Sequence, residues 1–433
     1  MVSLVPPAER VLSNPTVLSR TTPAQPPTIS AEDKSERFVL RTITATLVVA
    51  VVTQKVAIPI VPGKIALQIT LLIQYGMILA LLLGGRIKLS LGKLALFLTF
   101  SSAAVLVHIL QAKEDFSLPS LVYVILIYST YIYVVPIRQE TFTRYLMNFQ
   151  IVAVCACIMV FMDWACQFAH LGMPSIEYFI PKSFIFFNYV YIQPLEWGAR
   201  YLKPNGFFFL ETSYVSQFIA FGLIIEICLF QRIRFLGALA LGQVCSFGGT
   251  GMTLVLLSIP VVLFYFRLKL LPLILIAAPI AGITAIQIGL VDNIIMRSQE
   301  FSQEGSSGNQ RFTVQAERVA EVLRGDTRDA LIGIGAGQMP QYLNMMWTPV
   351  SKVLVEYGVI VYALFWTFLL FCMFGRGVPF VISWMALMQY VFLNGSFLVP
   401  INSFYNVMLA ALLIVRKPKP PSASYSGSEA ALG

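Results

Sequence analysis

Long apolar stretches recur along this chain, at about 38–54, 65–83, 91–110, 119–137, 145–168, 206–230, 235–249, 252–266, 271–290, 349–374, 378–393 and 403–415. Water is absent from the bilayer core, so a backbone crossing it must close its own hydrogen bonds, which a helix of roughly 20 apolar residues does. The spacing predicts an all-α polytopic integral membrane protein with about 12 transmembrane helices. Composition agrees: 57% of residues are hydrophobic, 12% are charged and the mean hydropathy is +0.77. Several stretches fall short of a full crossing, notably the pair flanking Gly248, Gly249 and Gly251 and the last two, which implies tilted or re-entrant segments.

The net charge of +9 is carried by residues between apolar stretches, where it orients a membrane protein rather than binding nucleic acid. With the N-terminal tail in the cytoplasm, alternate connections carry Arg86, Lys88 and Lys93; Arg138 and Arg144; Arg232 and Arg234; Arg267 and Lys269; Arg376; and Arg416, Lys417 and Lys419. The positive-inside rule then places both termini in the cytoplasm and two long loops, about 169–205 and 291–347, on the other face. Residues 1–36 read as a disordered cytoplasmic tail, 37–418 as a single transmembrane domain and 419–433 as a second cytoplasmic tail. The six cysteines lack metal-ligand spacing, and His108 and His170 stand far apart, so no metal site is expected. No Walker-type glycine loop is present, which argues against ATP-driven transport.

The loop 291–347 holds Arg297, Arg311, Arg318, Arg324 and Arg328 and no lysine. A guanidinium holds two phosphate oxygens at once, so arginine without lysine suggests anion recognition. A solvated face of arginines paired with interleaved glutamates is the alternative. An amphipathic helix is expected from Asn309, as N-cap, to Arg324, with Phe312, Ala316, Val319 and Leu323 on its apolar stripe and Gly325 as its stop. The loop 169–205 is rich in aromatic residues beside Glu196, Arg200 and Lys203, as membrane-interface anchors or as a carbohydrate cleft.

Glu211 lies just inside the stretch that follows, where a carboxylate is costly unless it works or is paired. Burial would raise its pKa and make it a credible general base; a structural ion pair with Arg200, Lys203 or a later arginine is the alternative. Asp163 and Glu226 are weaker candidates, Glu226 as a partner of Arg232 or Arg234. Gly333, Gly335 and Gly337 allow close backbone approach, to a ligand or to a packed helix. Glu356 follows Lys352 at helical ion-pair spacing, or supplies a second acid.

Pro204-Asn-Gly-Phe-Phe-Phe-Leu-Glu211-Thr-Ser, Gly308-Asn-Gln-Arg311-Phe, Gly333-Ile-Gly-Ala-Gly337 and Glu356-Tyr-Gly358-Val-Ile-Val-Tyr-Ala-Leu-Phe occur in that order. In these stretches the chain resembles the Wzy-type polymerases of bacterial surface polysaccharide, within the O-antigen ligase and polymerase group. Its length and span number are most similar to the polymerases of xanthan-type gum clusters. The resemblance implies a metal-independent glycosyltransferase of the bacterial inner membrane, without cofactor. It would move a growing glycan from undecaprenyl pyrophosphate to the non-reducing end of a lipid-linked repeat unit. The partners implied are those lipid-linked units, membrane lipid, and chain-length or export proteins.

The family's pyrophosphate-binding arginine falls on Arg311, and charge extends that role to Arg318, Arg200 and Lys203. Many members carry a histidine where this chain has Trp347, which leaves Glu211 as the expected base. Asn205, Gln310, Tyr214 and Glu356 are expected to support it. Two rivals are a flippase or exporter of lipid-linked sugars and a ligase that moves finished glycan elsewhere. A transporter would place its charges near the bilayer midplane, whereas these lie in loops and at span ends.

Overall fold

The computed structural model describes residues 31–61, 65–111, 117–186, 191–195, 199–265, 309, 313–338, 347–375, 377–393 and 397–416. The expected stretch 271–290, most of the N-terminal tail, the C-terminal tail, Gln310 and Arg311 lie outside them. Within the described residues every expected apolar stretch contains a helix. These are α1 (Ala31–Val52), α2 (Ile69–Leu83), α3 (Leu91–Gln111), α4 (Leu118–Ser129), α5 (Gln139–Phe168), α6 (Thr212–Ile225), α7 (Ile233–Cys245) and α8 (Gly249–Tyr265). A second group is formed by α9 (Val314–Arg324), α10 (Thr327–Ile332), α11 (Pro349–Met373), α12 (Phe380–Met388) and α13 (Pro400–Asn406). Four helical segments among the described residues are long and apolar enough to cross a membrane: Leu91–Gln111, Gln139–Phe168, Thr212–Phe230 and Pro349–Met373.

The fold is mostly helical but not all-α. A hairpin pairs β1 (Ala57–Val61) with β2 (Ile65–Gln68), and β4 (Tyr133–Arg138) lies between β3 (Lys88–Leu89) and a parallel β5 (Leu413–Arg416). The stretches 119–137 and 403–415 thus end as strands. Pro136 cannot continue the α4 hydrogen-bond ladder, and the β-branched neighbours Val134, Val135 and Ile137 favour an extended chain.

Two ends of the bundle are set by named contacts. At one, Arg138, just before α5, pairs with Glu32 at 2.7 Å and Asp33 at 2.9 Å at the start of α1. At the other, Lys55, just past α1, reaches Ser175 beyond the end of α5. The same end receives α10 and the glycine loop after it: Gln111 Nε2 donates to the Ile332 carbonyl at 3.0 Å, and Ser117 N to the Ala336 carbonyl at 2.9 Å. Both charge-bearing loops therefore meet the bundle at one end, where α6 also begins.

Helices that gain nothing from burying apolar surface in lipid associate through small residues and buried polar pairs. The glycines before and in α8 serve the first purpose. A side chain at Gly248 would come within 2.2 Å of Ser216, and one at Gly251 within 2.4 Å of the Ser216 carbonyl, so α8 lies directly against α6. Gln217 and Gln389 (3.0 Å) and Gln54 and Tyr405 (3.0 Å) serve the second. Glu226 receives Arg232 at both carboxylate oxygens, at 3.0 and 2.8 Å, as the sequence spacing suggests.

The helix expected from Asn309 is α9, which begins at Val314 with no side-chain cap on Thr313 and ends at Gly325. Its buried face is Gln315 and Val322 with Val319, while Leu323 is exposed. The expected stripe is thus displaced, because a polar residue faces inward. Gln315 Oε1 accepts from Thr348 N at 3.1 Å and Thr348 Oγ1 at 3.0 Å, which ties α9 to the start of α11.

Candidate functional site

Glu211 immediately precedes α6 with extended backbone, φ −150° and ψ 168°. It is only 7% exposed, and its Oε2 accepts from Ser213 Oγ at 3.2 Å. The preceding turn explains how the chain delivers it there. Gly206 and Phe207 both have positive φ, 63° and 60°, a conformation unfavourable for phenylalanine unless the surroundings impose it. Asp163 imposes it: its Oδ2 accepts from Asn205 N at 3.1 Å and Gly206 N at 2.8 Å. Asn205 adds Oδ1 to Phe207 N at 3.1 Å and donates Nδ2 to the Tyr191 carbonyl at 2.9 Å. Asn205 is therefore a turn builder, and Asp163 anchors that turn to α5. Asp163→Asn replaces one charge-assisted acceptor with a neutral one and is expected to cost about 1–2 kcal/mol, read as a lower melting midpoint of the purified protein.

Sequence reasoning missed Lys55. It is fully buried, its Nζ donates to Ser175 Oγ at 2.9 Å, and it lies 5.3 Å from the centre of the Tyr191 ring. Desolvation pulls its pKa from 10.5 down to about 8, with the charges of Glu177 and Asp163 opposing the fall. Burial pushes the Tyr191 phenol up, and Glu177, Glu211 and Tyr214 add to that rise. Lys55, Glu177, Tyr191, Glu211 and Tyr214 thus form one electrostatic neighbourhood under the loop 169–205. The available signal was a lysine at the far end of the first apolar stretch, on the face where the positive-inside rule calls for none.

The depressed lysine has a measurable consequence. Between pH 8 and 10.5 the unfolded chain holds the Lys55 proton and the folded chain has released it. Stability therefore rises with pH across that window, by about 3 kcal/mol if the shift is fully expressed. Denaturation midpoints at either end of the window should show this rise in the wild type, with a smaller one in Lys55→Met.

The expected phosphate-binding side chains are placed differently. Arg200 is exposed and donates Nη2 to His170 Nδ1 at 3.0 Å. Arg318 forms an ion pair with Glu321 on its own helix, the solvated-face alternative. Lys203 is half-buried, with its backbone N bonded to the Gln193 carbonyl at 2.8 Å. Tyr214 is buried one turn into α6. Gln310 and Arg311 lie outside the described residues.

The glycine loop packs on backbone. Gly333 and Gly358 have φ of 74° and 75°, and α11 is broken at Gly358. A side chain at Gly333 would lie 2.4 Å from the Glu356 backbone, and one at Gly358 would lie 2.3 Å from the Leu331 carbonyl oxygen. Ile334 N and Gly335 N donate to the Val355 and Glu356 carbonyls at 2.9 and 3.0 Å, so the break is hydrogen-bonded like a short ladder. Glu356 is fully buried and accepts from Lys352 Nζ at 2.7 Å. Trp347 packs against Val322 and Val355.

Between α9, α11 and the π-helical end of α12 lies an apolar cavity of about 600 Å³, lined by Val319, Tyr362, Trp366, Leu370 and Phe392 among others. It places an apolar space directly beneath the helix that carries Arg318.

Comparison with protein-family models, curated proteins and solved structures returns no match to this chain.

Proposed function

We propose that the chain is a Wzy-type polysaccharide polymerase of the bacterial inner membrane, with about 12 spans, both termini cytoplasmic and the loops 169–205 and 291–347 in the periplasm. The observation that carries this reading is Glu211, a buried carboxylate held at the loop end of α6 by a turn that Asp163 and Asn205 build. In the reaction, an acceptor sugar hydroxyl attacks the anomeric carbon of the donor glycan. Its proton passes to Glu211, the bond from that carbon to the pyrophosphate oxygen breaks, and undecaprenyl pyrophosphate leaves with the electron pair. Arginines of the second loop, with Arg311 at the family position, offset the charge on the leaving group. The apolar cavity beneath α9 supports the reading, because a polyprenyl tail must stay in hydrocarbon while its head group meets the arginines.

Cells lacking the chain should accumulate single lipid-linked repeat units on the periplasmic leaflet and make no polymer. Accumulation on the cytoplasmic leaflet would instead assign the chain to transport. Impermeant thiol reagents should label a cysteine placed at Ser183 and spare one placed at Arg234; the reverse would invert the topology.

A further inference from the structure

The outer face of α1 changes character along its length. Lys34, Arg37 and Arg41 are exposed, and their spacing puts them on one face of the helix. Ala45, Val48 and Val49 continue that same face and are also exposed, Val48 and Val49 at 40% and 46%. From Arg41 to Val48 the helix rises by about 10 Å. Phe38, between the cations, lays its ring against the end of α2, where a side chain at Gly84 would come within 2.6 Å of it. That contact brings Arg86, and Lys88 at the start of β3, to the same end of the bundle. Leu82 and Leu83 beside them on α2 are 57% and 81% exposed.

The acids of α1 face the other way. Glu32 and Asp33 pair with Arg138 at 2.7 and 2.9 Å, and buried Glu36 accepts from Arg138 N at 3.4 Å. None of Lys34, Arg37, Arg41, Arg86 and Lys88 forms an ion pair among the described residues. We propose that this face of α1 binds an anionic phospholipid, whose phosphate lies at Arg37 and Arg41 while an acyl chain runs along Ala45, Val48 and Val49. The positive-inside rule requires basic connections, but it does not require cations aligned on one helix face with the acids drawn to the opposite one. An acidic protein partner would call for a polar rim around the cations. Here they run directly into apolar side chains that face hydrocarbon. The site rests on the membrane character of the chain and not on the polymerase reading.

Native mass spectrometry tests it, with the purified full chain released from detergent containing equimolar phosphatidylglycerol and phosphatidylcholine. The wild type should retain phosphatidylglycerol in preference. Joint replacement Arg37→Gln and Arg41→Gln should weaken phosphatidylglycerol binding about thirtyfold and leave phosphatidylcholine unchanged. Both arginines are exposed and outside any ion pair, so the double variant should melt like the wild type. Arg234→Gln, at an exposed cation in the first turn of α7, is the control and should keep the preference. Equal retention of the two lipids by the wild type, or an undiminished preference in the double variant, overturns the site. An equal loss in Arg234→Gln would assign the attraction to net charge and also overturn it. So would displacement of the lipid by soluble glycerol phosphate, which has no chain to lie on the apolar part of the face.

Discussion

Replacing Glu211 by glutamine is expected to reduce polymer formation by roughly 10²- to 10⁴-fold, the range a positioned general base supplies. The substitution keeps the shape of the side chain and leaves Oε1 able to accept from Ser213, so the start of α6 should survive it. The turn before it is held by Asp163 and Asn205, not by the Glu211 side chain. Melting behaviour should therefore change little while turnover collapses. Residual activity should be insensitive to added lipid-linked unit, because the loss falls on the chemical step rather than on binding. A variant that retains wild-type turnover would remove Glu211 from the reaction, and Glu356 would be the next acid to examine.

The second large effect is structural. Gly358→Ala should leave almost no folded protein. Its φ of 75° and ψ of 175° belong to a region that is essentially glycine's alone, and strain there costs on the order of 1–3 kcal/mol. The added carbon would also sit 2.3 Å from the Leu331 carbonyl oxygen, which is itself fixed by the crossing of 331–335 over 355–358. Set against a total stability of roughly 5–15 kcal/mol, the strain alone removes a sizeable fraction, and the backbone clash adds to it. Gly333→Ala should behave alike, since its carbon would meet the Glu356 backbone at 2.4 Å. Yield of monodisperse protein in detergent measures both. Gly76→Ala is the control, because nothing lies within 4 Å of a side chain there. Normal yield from Gly358→Ala would mean that the break in α11 is dispensable.

Helix positions were legible because hydrocarbon forces long apolar runs, and those runs can be read directly. Where the runs stop being helical was not. Residues 133–138 continue the apolar character of α4, and only Pro136 and the β-branched neighbours hint at a strand whose partner, Leu413–Arg416, is far away in sequence. The face of α9 was misread by a residue because its inward position is held by Gln315, a polar side chain that hydrophobic periodicity does not count. Glu211 could be singled out locally, as a charge inside an apolar stretch. Lys55 showed locally only as a lysine on the wrong face, and its meaning comes from Ser175, Tyr191 and Glu177, brought to it when α1 and α5 pack side by side. The glycines of 333–337 signalled close approach, but the strand-like crossing with 355–358 is a tertiary fact. Arg318 carried a real ambiguity in sequence, between anion capture and a solvated pair, and its own helix supplies Glu321 for the second.

The most direct test of the central claim uses purified protein in liposomes, supplied only with labelled lipid-linked repeat units and a chelator. The polymerase account predicts that polymer accumulates and undecaprenyl pyrophosphate is released, with both lost in Glu211→Gln. Labelled lipid-linked units that cross the bilayer while no polymer forms would contradict it.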